Sequence, residues 1–130
     1  MALIVQKYGG SSVGTVSRIL EVARRVVKTV QLGNSLVVVL SAMGKTTDGL
    51  VKLAKEISPN PNKREMDMLL STGEQVSIAL LSMALQEMGQ PAISLTGAQV
   101  GIVTEAAHTR ARILRIDPTR IESQLNSGKV

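Results

Sequence analysis

The chain has 130 residues and a formal net charge of +5, with 44% hydrophobic residues, a single aromatic (Tyr8), one histidine (His108) and no cysteine. That length suits one small domain with a real core, and the composition makes the core aliphatic. The missing thiols exclude disulfides and thiolate metal sites, and one histidine does not build a zinc site. Basic residues such as Arg18, Arg24, Arg25, Lys28, Lys52 and Lys55 are scattered over helical positions, with no stacking aromatics between them. They read as solvated helix faces rather than a nucleic-acid surface. The N-terminal MALIVQKYGG is interrupted at Lys7 and the glycine pair before any signal-type apolar region develops. No apolar run approaches the roughly 20 residues that span a bilayer. The expectation is a cytoplasmic protein without nucleic-acid or membrane partners.

The first predicted element is a strand over Ala2 to Tyr8, whose nearly continuous apolar run suits a strand covered on both faces. It ends in Lys7, and Gly9, Gly10, Ser11 and Ser12 follow before a helical pattern begins. A strand that delivers a cation and bare backbone amides to a helix start makes an anion site, and phosphate is the usual anion. The same residues also suit a tight turn with Ser11 or Ser12 as a helix cap. They match neither a Walker loop nor a dinucleotide fingerprint.

From Thr15 to Gln31, Val16, Ile19, Val22, Ala23, Val26, Val27 and Val30 recur at helical spacing, and Gly33-Asn34 ends the pattern. Ser35 to Leu40 is a second buried strand. Strand, helix and strand with short connections predict a parallel pair with a right-handed crossover. Lys7-Gly9-Gly10 and Ser41 to Thr47 then lie at carboxyl ends of neighbouring strands, where open parallel sheets bind ligands. Thr46 or Thr47 suits a cap for a helix over Asp48 to Ile57, and Thr47 suits ligand contact as well; Lys45 reads as solvated. A loop over Ser58 to Asn62 leads into two predicted helices, one to about Leu70 and one from about Thr72 to Met88. Ser71-Thr72-Gly73-Glu74 fits a capping box at the second start, with Glu74 as its acidic partner. Glu74 also begins the apolar stripe of Ile78, Leu81, Leu85 and Met88, which points it inward.

Gln90 to Leu95 is a third strand candidate, followed by a loop at Thr96 to Gln99. Gly101 to Glu105 and Ala111 to Ile116 suggest a hairpin whose tip carries His108, read as a surface histidine. Asp117-Pro118 opens a last helix that runs to about Asn126 and stops at Gly128. Gly128-Lys129-Val130 reads as a helix exit entering another strand, so the expectation is a piece of a longer protein.

Five segments in order, KYGGSSV, VVVLSAMGKTTDGL, REMDMLLSTGEQVSIALLSMAL, SLTGAQVGIVT and RARI, resemble bacterial aspartate kinases of the amino acid kinase family. The likeness runs through the whole chain. Tyr8 and Ser11 are conservative departures from the commoner K-F-G-G-T-S-V. The resemblance implies an α/β, three-layer αβα sandwich with a mainly parallel sheet, incomplete here, and phosphorylation of the β-carboxylate of L-aspartate by ATP with Mg2+. It implies ATP contacts at Lys7, Tyr8, Gly9, Gly10 and Ser41, with Lys7 also catalytic, and aspartate contacts at Thr47 and Glu74, without a protein metal site. It further implies a homo- or hetero-oligomeric parent whose nucleotide-binding half and regulatory domains lie outside these residues, so that this chain alone has little activity. Glutamate, acetylglutamate, carbamate or UMP kinases are related alternatives, and a non-catalytic phosphate- or partner-binding fragment is a further one.

Overall fold

The computed structural model describes residues 2–130. Strands β1 (Leu3–Tyr8) and β2 (Ser35–Leu40) pair in parallel, in register from Leu3 opposite Ser35 to Tyr8 opposite Leu40. Helix α1 (Val16–Gln31) connects them, as the strand–helix–strand pattern predicts. Helices α2 (Thr46–Ile57) and α3 (Lys63–Glu87) follow. The hairpin of β3 (Ile102–Thr104) and β4 (Ile113–Ile116) is antiparallel, and α4 (Thr119–Asn126) comes last.

Alternation along the strands divides the side chains between two faces. Tyr8, Leu36 and Leu40 join Ile19, Val22, Ala23 and Val26 of α1 and Leu81, Ala84 and Leu85 of α3 in one buried cluster. The opposite face carries Leu3 and Val5, each 63% exposed, and Val39 at 46%. The expectation of strands covered on both faces is therefore met on one face only. Two of the three layers, a helical one and the sheet, are built by the described residues.

Helix α3 corrects the expected pair of helices. It is continuous over 25 residues, and the capping-box reading of Ser71 and Glu74 fails with the second start. The hydroxyls of Ser71 and Thr72 donate to the carbonyls of Met68 (2.8 Å) and Leu69 (2.7 Å) within the helix. The hydroxyl chemistry that suggested a cap is spent on the preceding turn, and the helix runs on. Its real cap is Asn62, whose side chain accepts from the Glu65 amide at 3.1 Å. Continuity also makes α3 long and apolar enough to cross a membrane by length and composition, which the two shorter predicted helices were not. Here it packs on α1 and α2 through Gly73, Ser77, Leu81, Ala84 and Leu85.

The third strand also needs correction. Residues 90–95 are extended but form no ladder with β2. They bond instead to the end of the chain, where the Ile93 amide donates to Val130 and the Val130 amide to Pro91, both at 3.0 Å. An open cleft of about 750 Å³ lies between them and the outer edge of β2.

At α4, Asp117 acts as the sequence suggests, although the helix is counted from Thr119 and not from Pro118. Its carboxylate accepts from the Thr119 amide at 3.0 Å and the Thr119 hydroxyl at 2.6 Å.

Candidate functional site

β1 turns sharply after Tyr8. Gly10–Val13 forms one turn of 3-10 helix, closed by the Ser12 amide donating to Gly9 at 3.1 Å. This turn separates the glycines from α1, so their amides do not belong to that helix's first turn, as the sequence reading had it. α1 has its own cap, Thr15, whose hydroxyl accepts from the Arg18 amide at 3.2 Å. The predicted caps Ser11 and Ser12 lie inside the 3-10 turn. The Arg18 guanidinium reaches back to the Ser11 carbonyl at 2.8 Å, which braces the turn and adds a cation beside it. Helical spacing by itself assigns Arg18 only to a solvated face.

The loop after β2 is tied to this turn. The Ser41 amide donates to the Tyr8 carbonyl at 3.1 Å, and the Gly44 amide donates to the Gly10 carbonyl at 2.9 Å. The approach is close enough that a Cβ at Gly10 would stand 2.9 Å from the Ala42 oxygen and 3.0 Å from the Gly44 oxygen. Two polar loops predicted to share a rim are thus in direct contact. Thr46 and Thr47 do not cap α2, since its cap position is Lys45 and the Thr46 hydroxyl donates to the Met43 carbonyl at 2.6 Å. Thr47 lies half-buried in the first helical turn.

From the other side, α3 meets the same loop at Gly73. A Cβ there would be 2.9 Å from the Cβ of Ala42 and 3.5 Å from Cγ2 of Thr46. Ala42 is 4% exposed. The next residue, Glu74, is exposed and lines the cleft beside β2, together with Ser71, Gln75 and the 96–98 loop. The inward stripe reading of Glu74 thus survives in a changed form, because the carboxylate faces an open cleft and not a packed core.

The predicted residues therefore separate. Gly9, Gly10 and Ser41 lie on the two knitted loops, Lys7 at the end of β1 before them, Thr47 at the start of α2 that follows, and Glu74 beside the point where α3 meets the 41–47 loop. Lys7 is exposed and shares the open face of the sheet with Leu3 and Val5. Tyr8 departs from the rest. Its ring is buried in the core and its hydroxyl donates to Gln6 at 2.9 Å, so its side chain turns away from the rim. Ala42, Gly73 and the 96–98 loop also belong to this region, although the sequence pattern gives none of them a ligand role. The glycine in a helical run was the one available signal. His108 is exposed, as read, but Nδ1 lies 3.1 Å from the Asp67 carboxylate of α3, so the hairpin tip is docked.

The model of the amino acid kinase family matches residues 2–130. The chain belongs to the amino acid kinase family. Within that family it is 64% identical, over all 130 residues, to an aspartokinase of Geobacillus stearothermophilus. Its identity to aspartokinase 2 of Bacillus subtilis is 60% over the same length. It spans 32%, about a third, of the length of each of these curated relatives. Among solved structures, the aspartate kinase from Synechocystis superposes with a TM-score of 0.85 at 70% identity, over 98% of this chain and 21% of that one. Escherichia coli aspartokinase III, solved in complex with aspartate and ADP, is 21% identical and superposes with a TM-score of 0.77, over 100% of this chain and 40% of that one. That last likeness is one of fold. This amino acid kinase chain therefore carries the family's α/β fold with its parallel strand pair, over part of the relatives' length.

Proposed function

We propose that the complete protein carrying these residues is an aspartate kinase, which transfers the γ-phosphoryl group of ATP to the β-carboxylate of L-aspartate. The observation that carries this reading is the convergence of three elements on Ala42: the Lys7–Gly10 turn, the 41–47 loop and the Glu74-bearing stretch of α3. The named aspartokinase relatives support the choice of acceptor.

The residue types suit the chemistry. A carboxylate oxygen of aspartate attacks the γ-phosphorus, an O–P bond forms, the bond to the β,γ-bridging oxygen breaks, and ADP leaves. A carboxylic acid with a pKa near 4 is already ionised at neutral pH, so the nucleophile needs no general base. The difficulty is to bring one anion to another, and catalysis rests on positioning and on cations and amide dipoles around the transferred group. Lys7 supplies a point charge at the end of β1. Gly9 leaves backbone open to phosphate, and Gly10 lets the turn close on the 42–44 loop, with Ser41 beside them. Thr47 and Glu74 hold the amino acid, Glu74 through the α-ammonium group. Among the described residues no three His, Asp or Glu side chains converge to hold a metal. Mg2+ bound with ATP would be held chiefly by phosphate oxygens and water, and would offset the charge of the phosphates.

The product would feed lysine, threonine and methionine synthesis in the cytoplasm. Residues outside this chain would complete the nucleotide pocket, a reading supported by the open sheet face and the one-third span.

Two variants of the complete polypeptide test the assignment. Lys7→Ala lowers kcat far more than it raises KM for aspartate, whereas Glu74→Ala raises KM for aspartate and leaves the Kd for ATP nearly unchanged. An unchanged kcat in Lys7→Ala refutes its catalytic role. A parent enzyme that phosphorylates glutamate, acetylglutamate, carbamate or UMP in preference to aspartate refutes the acceptor.

A further inference from the structure

Gly73 sits in the middle of a 25-residue helix, where glycine costs about 1 kcal/mol relative to alanine. The surrounding contacts show what its missing side chain allows. Carbon atoms in good contact sit about 3.5–4.0 Å apart, yet a Cβ on Gly73 would lie 2.9 Å from the Ala42 Cβ, with Thr46 Cγ2 at 3.5 Å and Leu50 Cδ1 at 3.7 Å behind it. Ala42 has little room to retreat, because a Cβ on Gly10 would stand 2.9 Å from its carbonyl oxygen and the Gly10 turn is fastened to the loop by the Ser41–Tyr8 and Gly44–Gly10 hydrogen bonds. Turn, loop and helix approach so closely that neither Gly10 nor Gly73 has room for a Cβ.

We propose that Gly73 is a positioning residue for phosphoryl transfer: its contact with Ala42 sets the spacing between the Lys7–Gly10 turn, which holds the phosphates, and Glu74, which holds the acceptor. The inference rests on the aspartate kinase reading above. Glu74 follows Gly73 directly, so a methyl group that lifts α3 off Ala42 carries the Glu74 carboxylate with it by several tenths of an ångström to about 1 Å. A displacement of about 1 Å costs on the order of 100-fold in rate when reacting groups must meet in line. Alanine is the better helix former, but here its methyl group overpacks against Ala42, so Tm is expected to fall with Gly73→Ala and to recover in the double variant Gly73→Ala/Ala42→Gly.

The test uses the complete polypeptide, with aspartyl phosphate trapped as its hydroxamate, ATP affinity measured by calorimetric titration, and thermal unfolding followed in parallel. Gly73→Ala is expected to lower kcat/KM for L-aspartate by on the order of 100-fold, with the Kd for ATP held within about threefold. The double variant Gly73→Ala/Ala42→Gly removes the opposing methyl group, and its kcat/KM is expected to return to within about threefold of Ala42→Gly alone. The rescue assigns the effect to this contact, and the retained ATP affinity separates it from a loss of fold, which would weaken ATP binding along with catalysis. Unchanged kinetics in Gly73→Ala overturn the proposal. A loss that Ala42→Gly does not relieve also overturns it, because the effect then does not pass through the spacing. If Gly73→Ala fails to fold, the double variant decides: folded and active supports the spacing, unfolded or inactive refutes it. A parent that forms no aspartyl phosphate at all refutes the kinase reading and this inference with it, an outcome distinct from a Gly73→Ala variant as active as its parent.

Discussion

Gly9 and Gly10 adjoin in sequence, but the structure gives them different work, and a paired substitution separates the two. Gly9 has φ −76° and ψ 173°, an extended conformation open to any residue, and a Cβ there meets nothing within 4 Å. At Gly10 a Cβ would stand 2.9 Å and 3.0 Å from two backbone carbonyl oxygens, whereas carbon and oxygen sit comfortably at about 3.3 Å or more. Both carbonyls belong to the 42–44 loop, and the 2.9 Å bond from the Gly44 amide to Gly10 holds it in place. Gly10→Ala therefore forces an overpacked contact, typically about 1–3 kcal/mol, and strains a hydrogen bond with a net contribution of about 0.5–1.5 kcal/mol. A loss of about 2–4 kcal/mol corresponds to roughly 10 °C in Tm for a domain of this size. Gly9→Ala should leave Tm within about 2 °C, an effect of less than about 0.5 kcal/mol. The methyl group would stand instead in the open space where the proposed function puts a phosphate, and should weaken ATP binding about tenfold, or about 1.4 kcal/mol. Scanning calorimetry with and without ATP reads both effects. Equal Tm losses in the two variants, or a Gly9→Ala protein that binds ATP like its parent, would show that the glycines are not divided between fold and ligand.

Three further outcomes are expected. Ser77 is fully buried in α3 and its Oγ has no hydrogen-bond partner; an unsatisfied buried hydroxyl costs about 1–3 kcal/mol, so Ser77→Ala should raise Tm, and a fall would mean that the hydroxyl is satisfied. Leu36 is 1% exposed at the centre of the core, so Leu36→Ala should cost about 2–5 kcal/mol through the cavity it leaves. Leu53→Ala on α2, where the side chain is 56% exposed, should stay within about 0.5 kcal/mol, and similar denaturation midpoints for the two would contradict the packing described. The Thr119 hydroxyl and amide, helped by the charge of Arg115, hold the Asp117 carboxyl below its ordinary pKa. A depressed folded-state pKa contributes stability above the unfolded-state value, near 4, and loses it as pH falls through the folded-state value. The stability gap between the parent and Asp117→Asn should therefore be present at about pH 7 and narrow as pH falls below about 4, and a gap that stays constant with pH would assign the cap to something other than charge.

Local chemistry alone determined a large part of this molecule. The apolar runs of β1 and β2, the helical spacing of α1, its end at Gly33-Asn34, and the hairpin at 101–116 are set by neighbours a few residues apart, and all stand where the pattern places them. The pairing of two glycine-bearing loops on one rim was legible as well, since parallel strands joined by one helix bring their carboxyl ends together. Tertiary contacts decided the rest. The capping chemistry of Ser71-Thr72-Gly73-Glu74 is a local signal that a continuous helix overrides, because the hydroxyls find carbonyls one turn back and the glycine finds Ala42. The extended segment 90–95 has strand composition, but a ladder needs a neighbour at hydrogen-bonding distance, and the edge of β2 stands across a cleft. Tyr8 shares a motif with Lys7, yet strand alternation sends its ring into the core and the lysine to the open face. Gly73 shows the limit most clearly. Its sequence neighbours explain only the cost of a glycine in a helix, and the reason to keep it lies in a methyl group from a distant loop, a contact that exists only once the chain is folded.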